Sequence, residues 1–100
     1  MRDLTGKVVW AIGSGTGIGA SGAELLAADG ARVILSGRRR EPLEEMVTRI
    51  EEAGGEAYAE SLDIADGEAV AALGAALIER FGRLDIMLNS AAINVPNREW

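Results

Sequence analysis

A short apolar run that ends in a cluster of glycines is the clearest indication of the fold in this sequence. Residues 7–12 read Lys-Val-Val-Trp-Ala-Ile, which is typical of a strand buried on both faces of a sheet. The chain continues as Gly13-Ser14-Gly15-Thr16-Gly17-Ile18-Gly19. Glycines at such a junction let the backbone turn sharply and bring its N–H groups against an anion, which the positive end of a following helix also attracts. Because small residues predict a helix directly after it, the junction favours a pyrophosphate-binding turn over a plain tight turn.

The glycine spacing fits two patterns. One is Gly13-x-x-x-Gly17-x-Gly19, and the other is Gly15-x-Gly17-x-x-Ala20, which matches the general dinucleotide-binding fingerprint. We favour the first pattern because Gly13 directly follows the strand, where the chain must first turn.

Beyond the turn, a first helix is predicted from about Ile18 to Asp29, with Leu25 and Leu26 facing inward, and Gly30 ends it. Residues 32–36 predict a second strand. Pro42 suits the first position of a second helix. The apolar stripe of that helix recurs at helical spacing as Leu43, Met46, Val47 and Ile50.

The rest of the chain repeats this alternation of strand and helix. Residues 56–62 predict a third strand, and Asp66 is a suitable cap for a third helix that Gly82 ends. The apolar positions of the third helix are Val70, Leu73, Leu77 and Phe81. Residues 84–89 predict a fourth strand. A β-α-β-α-β-α-β order with short connections predicts an α/β fold with parallel strands and right-handed crossovers.

Composition limits what the chain can do. One hundred residues form one domain at most, which we assign to residues 1–100. The absence of His and Cys excludes imidazole bases, cysteine nucleophiles, disulfides and His/Cys metal sites, so we expect no metal.

A net charge of -6 argues against nucleic acid as the main partner. No apolar run approaches the roughly 20 residues that span a membrane. With no signal-peptide pattern either, we expect a cytoplasmic protein.

Three motifs together resemble the short-chain dehydrogenase/reductase family. Residues 12–19 resemble its Thr-Gly-x-x-x-Gly-x-Gly signature, with Ile12 in place of Thr. Asp63 and Ile64 resemble the pair that contacts adenine after the third strand. Residues 84–92 resemble the segment that ends Asn-Asn-Ala-Gly, with Ser90 and Ala92 as replacements. Asn89 and Ala91 stand where the family places residues that brace the sheet and contact the cofactor.

The resemblance implies a Rossmann-like, doubly wound parallel sheet with strand order 3-2-1-4, truncated after the fourth strand. It covers only the N-terminal, cofactor-binding half of a family chain of ordinary length. Such a protein is an oxidoreductase that transfers hydride between NAD(P)(H) and a small alcohol or carbonyl substrate, and family members usually form homo-oligomers.

The choice of cofactor depends on the end of the second strand, where a carboxylate binds the free 2′-hydroxyl of NAD and a guanidinium accommodates the 2′-phosphate of NADP. That place holds Gly37 and Arg38, and no acid occurs before Glu41. Arg38 therefore favours NADP(H), with NAD(H) as the alternative. The same missing acid argues against a methyltransferase, which would need it for the ribose diol of its cofactor.

The catalytic residues of the family have no counterpart in this sequence. Hydride transfer in the family uses a Tyr with a Lys four residues later, but the single tyrosine, Tyr58, is followed at that distance by Leu62. We interpret Tyr58 and Lys7 as structural and assign no catalytic residue. The 100-residue chain alone is expected to bind cofactor without catalysis. The alternative is a noncatalytic dinucleotide-binding module or an inactive fragment.

Overall fold

The computed structural model describes residues 4–13, 17–63 and 65–89. Seven elements follow one another in this part of the chain, and they alternate between strand and helix as the sequence predicts. They are β1 (Val8–Ile12), α1 (Gly17–Ala28), β2 (Arg32–Ser36), α2 (Arg40–Glu52), β3 (Glu56–Ala59), α3 (Gly67–Phe81) and β4 (Ile86–Asn89).

The strands form one parallel sheet in the order β3-β2-β1-β4, which confirms the predicted order. Ile12 of β1 is aligned with Ser36 of β2 on one side and with Asn89 of β4 on the other. Leu35 of β2 is aligned with Ala59 of β3. Because all four strands run the same way, their carboxyl ends meet along one edge of the sheet.

Alternate residues of each strand point to opposite faces, so the sheet has a core on each side. One core is formed with α1 and α2. Its buried members are Val9, Ala11, Ala23, Ala27, Ala31, Val33, Leu35, Leu43, Met46, Ile50 and Ala57. The other core is formed with α3. Its buried members are Val8, Trp10, Ile12, Ile34 and Leu77. Helices on both faces make the sheet doubly wound, as the sequence predicts.

Helix α1 packs through small side chains, and this corrects one prediction. Ala23 and Ala27 are buried one turn apart, and Leu26 packs beside them, whereas Leu25 is 69% exposed. Two residues correspond to about 200° around a helix, so Leu25 points away from the face that Ala23 and Ala27 bury. A Cβ on Gly22 would lie 3.3 Å from Leu88 Cδ1, which shows how closely the helix approaches β4.

Several element boundaries also differ from the prediction by one or more residues. Helix α2 begins at Arg40, so Pro42 is its third residue. Proline is tolerated there because the first N–H groups of a helix have no intrahelical partner. Strand β3 ends at Ala59 and β4 begins at Ile86, so both are shorter than expected.

The cap of α3 follows the prediction. Asp66 Oδ1 accepts hydrogen bonds from the backbone N–H groups of Glu68 and Ala69, at 3.1 and 3.2 Å. The helix ends at Gly82, whose φ of 82° lies in the left-handed region that glycine adopts without strain.

Asp85 fixes the start of the pairing between β1 and β4. Its Oδ2 accepts from the Val8 backbone N–H at 2.9 Å, while its own N–H donates to the Val8 carbonyl at 2.9 Å. Arg83 donates to both carboxylate oxygens, from Nε at 2.8 Å and from Nη2 at 2.9 Å. The Arg83 guanidinium, followed by the Val8 N–H, lowers the pKa of Asp85.

This lowered pKa predicts a pH-dependent contribution to stability. A carboxylate with a depressed folded-state pKa stabilises the fold above its unfolded value of about 3.9, and the contribution is lost as pH falls through the folded value. We expect Asp85→Asn to lower the unfolding temperature at pH 7 and to differ progressively less from the wild type as pH falls below about 4. Thermal unfolding followed by circular dichroism across this range tests it.

Glu51→Gln, on an exposed position of α2, makes the same change of charge and serves as the control. A constant difference between Asp85→Asn and the wild type at every pH would contradict the assignment.

Candidate functional site at the carboxyl edge of the sheet

The residues that follow β1, β2 and β3 lie along the same edge because of the strand register. Ile12 is aligned with Ser36, so Gly13 and Gly37 leave the sheet side by side. The backbone N–H of Leu62 donates to the Gly37 carbonyl at 2.9 Å. The chains after β2 and β3 therefore stay hydrogen-bonded up to the residues just before Arg38 and Asp63. This arrangement brings together the two predicted cofactor residues Arg38 and Asp63.

Gly13 is the first residue of the glycine-rich turn. Its φ is 78°, a conformation that side chains with a Cβ rarely adopt, and its N–H donates to the Ser36 carbonyl at 2.7 Å. Helix α1 begins at Gly17, so its backbone N–H groups open toward the same edge. The backbone of Gly17, Ile18 and Gly19 forms the first turn of this helix, while Ser14, Gly15 and Thr16 lie outside the described residues.

Ser36 is a site residue that the sequence analysis missed. It is fully buried, and its Oγ accepts from the indole Nε1 of Trp10 at 2.8 Å. Its carbonyl accepts from Gly13, so Ser36 holds both the strand β1 and the start of the glycine turn. A signal was present in the sequence: a tryptophan in a buried strand needs an acceptor for its N–H. Only the register, which aligns Trp10 with Ile34, shows that Ser36 lies on the same face two residues further along.

Arg38 and Asp63 form an ion pair in which Nε lies 3.3 Å from Oδ1. The two side chains are 66% and 60% exposed, so both face solvent at the edge of the sheet. Asp63 Oδ1 also accepts from the Ala65 N–H at 3.0 Å, which orients the carboxylate within its own turn. The guanidinium is therefore available at the end of β2, and the acidic residue beside it comes from the neighbouring strand rather than from β2.

The remaining predicted residues are only partly described. The backbone of Asn89 ends β4 beside Ile12, which places it at the same edge as Gly13. Ile64 and Ala91 lie outside the described residues.

Tyr58 is the third of the four residues of β3, and its side chain packs against the core on the α3 face of the sheet. Its hydroxyl donates to the Glu56 carboxylate, and this hydrogen bond, followed by burial, raises its pKa. Its ring packs on Phe81 with centroids 5.2 Å apart, and the Arg80 guanidinium lies 5.2 Å from the Tyr58 centroid. A raised pKa makes a phenol a weaker proton carrier near neutral pH. These contacts join β3 to α3 and fit the structural interpretation of Tyr58.

A groove of about 510 Å³ lies between α1 and α2, at the opposite end of the sheet. Its walls include Glu24 and Arg49, whose charged groups pair with each other at 2.8 Å. It lies beside Gly55, just before β3 begins, and therefore far along the strands from the carboxyl edge. Ligands of open parallel sheets bind outside the carboxyl ends of the strands, so we place the candidate site there rather than in this groove.

The described ranges contain neither a candidate membrane span nor a candidate metal site. No helix in residues 4–13, 17–63 and 65–89 is long and apolar enough to cross a membrane. Within the same ranges, no three acidic, histidine or cysteine side chains are grouped so that they could hold a metal ion.

A parallel sheet of order β3-β2-β1-β4 with helices on both faces defines a Rossmann-like α/β domain. The family model of the short chain dehydrogenases matches residues 7–99. The chain therefore belongs to the short-chain dehydrogenase/reductase family.

Individual relatives agree with this assignment. The chain is 42% identical to the short-chain reductase protein NovJ of Streptomyces niveus over 94% of its own length and 38% of the relative's. It is 43% identical to 3beta-hydroxysteroid dehydrogenase 1 of Eggerthella lenta, over 95% of this chain and 37% of that protein. A crystal structure of a metagenomic short-chain oxidoreductase in complex with NADP superposes with a TM-score of 0.80 at 36% identity, over 83% of this chain and 38% of that one. The chain thus spans less than two fifths of the length of these proteins.

Loss of the Ser36 hydroxyl should destabilise the sheet. In Ser36→Ala the buried Trp10 N–H has no acceptor, and an unsatisfied buried donor costs about 1–3 kcal/mol. We expect the urea midpoint to fall accordingly, measured by tryptophan fluorescence and by circular dichroism. Ser61→Ala, at an exposed position after β3, should leave the midpoint nearly unchanged. Equal midpoints for Ser36→Ala and the wild type would show that the Trp10–Ser36 bond does not stabilise the sheet.

Proposed function

We propose that this chain is the cofactor-binding part of an oxidoreductase that transfers hydride between NADP(H) and an alcohol or carbonyl substrate. The observation that carries the choice of NADP(H) is the exposed guanidinium of Arg38 directly after β2, with no carboxylate from β2 or its loop before Glu41. A planar guanidinium matches a phosphate, whereas a ribose diol needs an acceptor. The relative solved with NADP bound supports the same choice.

The residues at the carboxyl edge fit the parts of a dinucleotide. In this proposal the turn from Gly13 to Gly19 holds the pyrophosphate, because α1 begins at Gly17 and the first N–H groups of a helix attract an anion. Arg38 binds the 2′-phosphate, Asp63 and Ile64 contact the adenine, and Asn89 and Ala91 lie on the nicotinamide ribose side. The positive φ of Gly13 fits this role, since a side chain there would be strained where the backbone must approach a ligand.

The nicotinamide supplies the hydride chemistry when it is bound, and this chain supplies binding and orientation. The sequence contains no Tyr-x-x-x-Lys, and the Tyr58 hydroxyl is hydrogen-bonded to Glu56 within β3. We therefore assign proton transfer to groups outside residues 1–100 and expect the isolated chain to bind cofactor without oxidising or reducing a substrate. The alternative is a noncatalytic dinucleotide-binding module, which would also lack the Tyr-x-x-x-Lys motif.

Cofactor binding by two matched variants tests the role of Arg38. We expect the wild type to bind NADPH more tightly than NADH, and Arg38→Gln to weaken NADPH binding about tenfold or more, since hydrogen bonds to charged groups contribute about 1.5–3 kcal/mol. NADH binding should change little. Isothermal titration calorimetry of each cofactor provides the dissociation constants.

Arg39→Gln is the control, because Arg39 is the neighbouring exposed arginine and the variant changes the net charge equally. It should weaken NADPH binding far less than Arg38→Gln does. Tighter binding of NADH than of NADPH by the wild type would contradict the proposal.

A further inference from the structure

The guanidinium assigned to the 2′-phosphate already has an anionic partner. Arg38 Nε lies 3.3 Å from Asp63 Oδ1, and no other ion pair of Arg38 is found among the described residues. With more than half of each side chain in solvent, the pair is of the exposed kind that contributes little to stability. The pair is therefore free to rearrange when a ligand binds, at little cost to the fold.

The pair is set by the backbone of two neighbouring strands. Leu62 donates to the Gly37 carbonyl at 2.9 Å, which keeps the residue before Asp63 next to the residue before Arg38. The turn that follows holds Asp63 in place, since its carbonyl accepts from the Asp66 N–H at 2.9 Å and its Oδ1 accepts from the Ala65 N–H at 3.0 Å. The carboxylate is thus oriented by its own turn, independently of Arg38.

A 2′-phosphate that binds Arg38 meets this carboxylate at close range. The two anions share one guanidinium, and they repel each other across the few ångströms that separate groups on the same cation. From this geometry we propose that Asp63 competes with the ribose 2′-phosphate for Arg38 and thereby limits the preference of the chain for NADP(H) over NAD(H). The inference rests on the proposed function, because it requires Arg38 to be the phosphate-binding residue.

An opposite effect is expected if Asp63 only orients Arg38. In that case removal of its charge frees the guanidinium and weakens phosphate binding. The sign of the change in affinity for a 2′-phosphate therefore separates competition from orientation.

The test uses Asp63→Asn, which removes the charge and keeps a side-chain oxygen for the adenine amino group. Adenosine 2′,5′-bisphosphate and 5′-AMP are titrated by calorimetry into the wild-type 100-residue chain and into the variant. We expect Asp63→Asn to raise the ratio of bisphosphate affinity to 5′-AMP affinity about three- to fivefold, in line with the strength of exposed ion pairs. A change in the contact between residue 63 and the adenine amino group affects both ligands alike and cancels in this ratio, because the two ligands differ only in the 2′-phosphate. The gain should shrink at high salt, since both charges are exposed.

Two further variants separate competition from a general change of charge. Glu24→Gln removes one negative charge from the Glu24–Arg49 pair at the other end of the sheet, and it should leave both affinities unchanged. In an Arg38→Gln background, Asp63→Asn should raise the ratio of bisphosphate to 5′-AMP affinity less than it does in the wild type. The reason is that the guanidinium for which the carboxylate and the 2′-phosphate compete is gone.

The outcomes distinguish this inference from the proposed function. If the wild type prefers the bisphosphate and Asp63→Asn leaves that preference unchanged or reduces it, competition is wrong while the NADP(H) assignment stands. If the wild type shows no preference but Asp63→Asn acquires one, competition is supported and the proposed NADP(H) preference fails. Failure of the wild type to bind either nucleotide would contradict both.

Discussion

The alignment of Ile12 with Ser36 on one side and with Asn89 on the other is the constraint on which the site depends. Because the three strands end at the same level, the chain segments that leave them are brought to one edge. Gly13 then turns away with a positive φ and a hydrogen bond to the Ser36 carbonyl. A shift of register by one residue would invert the side chains of β1 between the two cores and move Gly13 out of line with Gly37.

Different interactions fix the two ends of β1. At its beginning, Asp85 accepts from the Val8 N–H and is itself paired with Arg83. At its end, Ser36 accepts from Gly13 through its carbonyl and from Trp10 through its hydroxyl. Gly74 of α3 lies against the same tryptophan, since a Cβ there would be 3.1 Å from the Trp10 ring. The indole thus links the helix on one face of the sheet to the edge that carries the site.

Much of this arrangement could be predicted from the sequence, because it depends on local patterns. The strand-glycine-helix junction, the apolar spacing of α2 and α3 and the Asp66 cap all act within a few residues. The prediction that Leu25 faces inward was wrong. Helix α1 packs on the sheet through Gly22, Ala23 and Ala27, whose small size permits a close approach, rather than through its largest apolar side chains.

Contacts between strands were harder to predict. The Trp10–Ser36 bond and the Arg38–Asp63 pair each join residues that are distant in sequence and adjacent only because their strands are neighbours. The sequence singled out Arg38 and Asp63 separately, one from the chemistry of ribose recognition and the other from a family motif. Only the order and register of the strands show that they contact each other, and this contact changes the expected electrostatics of the proposed cofactor site.

In the proposed function, the carboxyl edge of the sheet binds the adenosine half of a dinucleotide. Two-dimensional NMR of the ¹⁵N-labelled chain during titration with adenosine 2′,5′-bisphosphate tests it directly. We expect the largest amide and guanidinium shifts at Gly13, Gly37, Arg38 and Asp63. Shifts concentrated at Glu24, Arg49 and Gly55, in the groove at the opposite end of the strands, would contradict it.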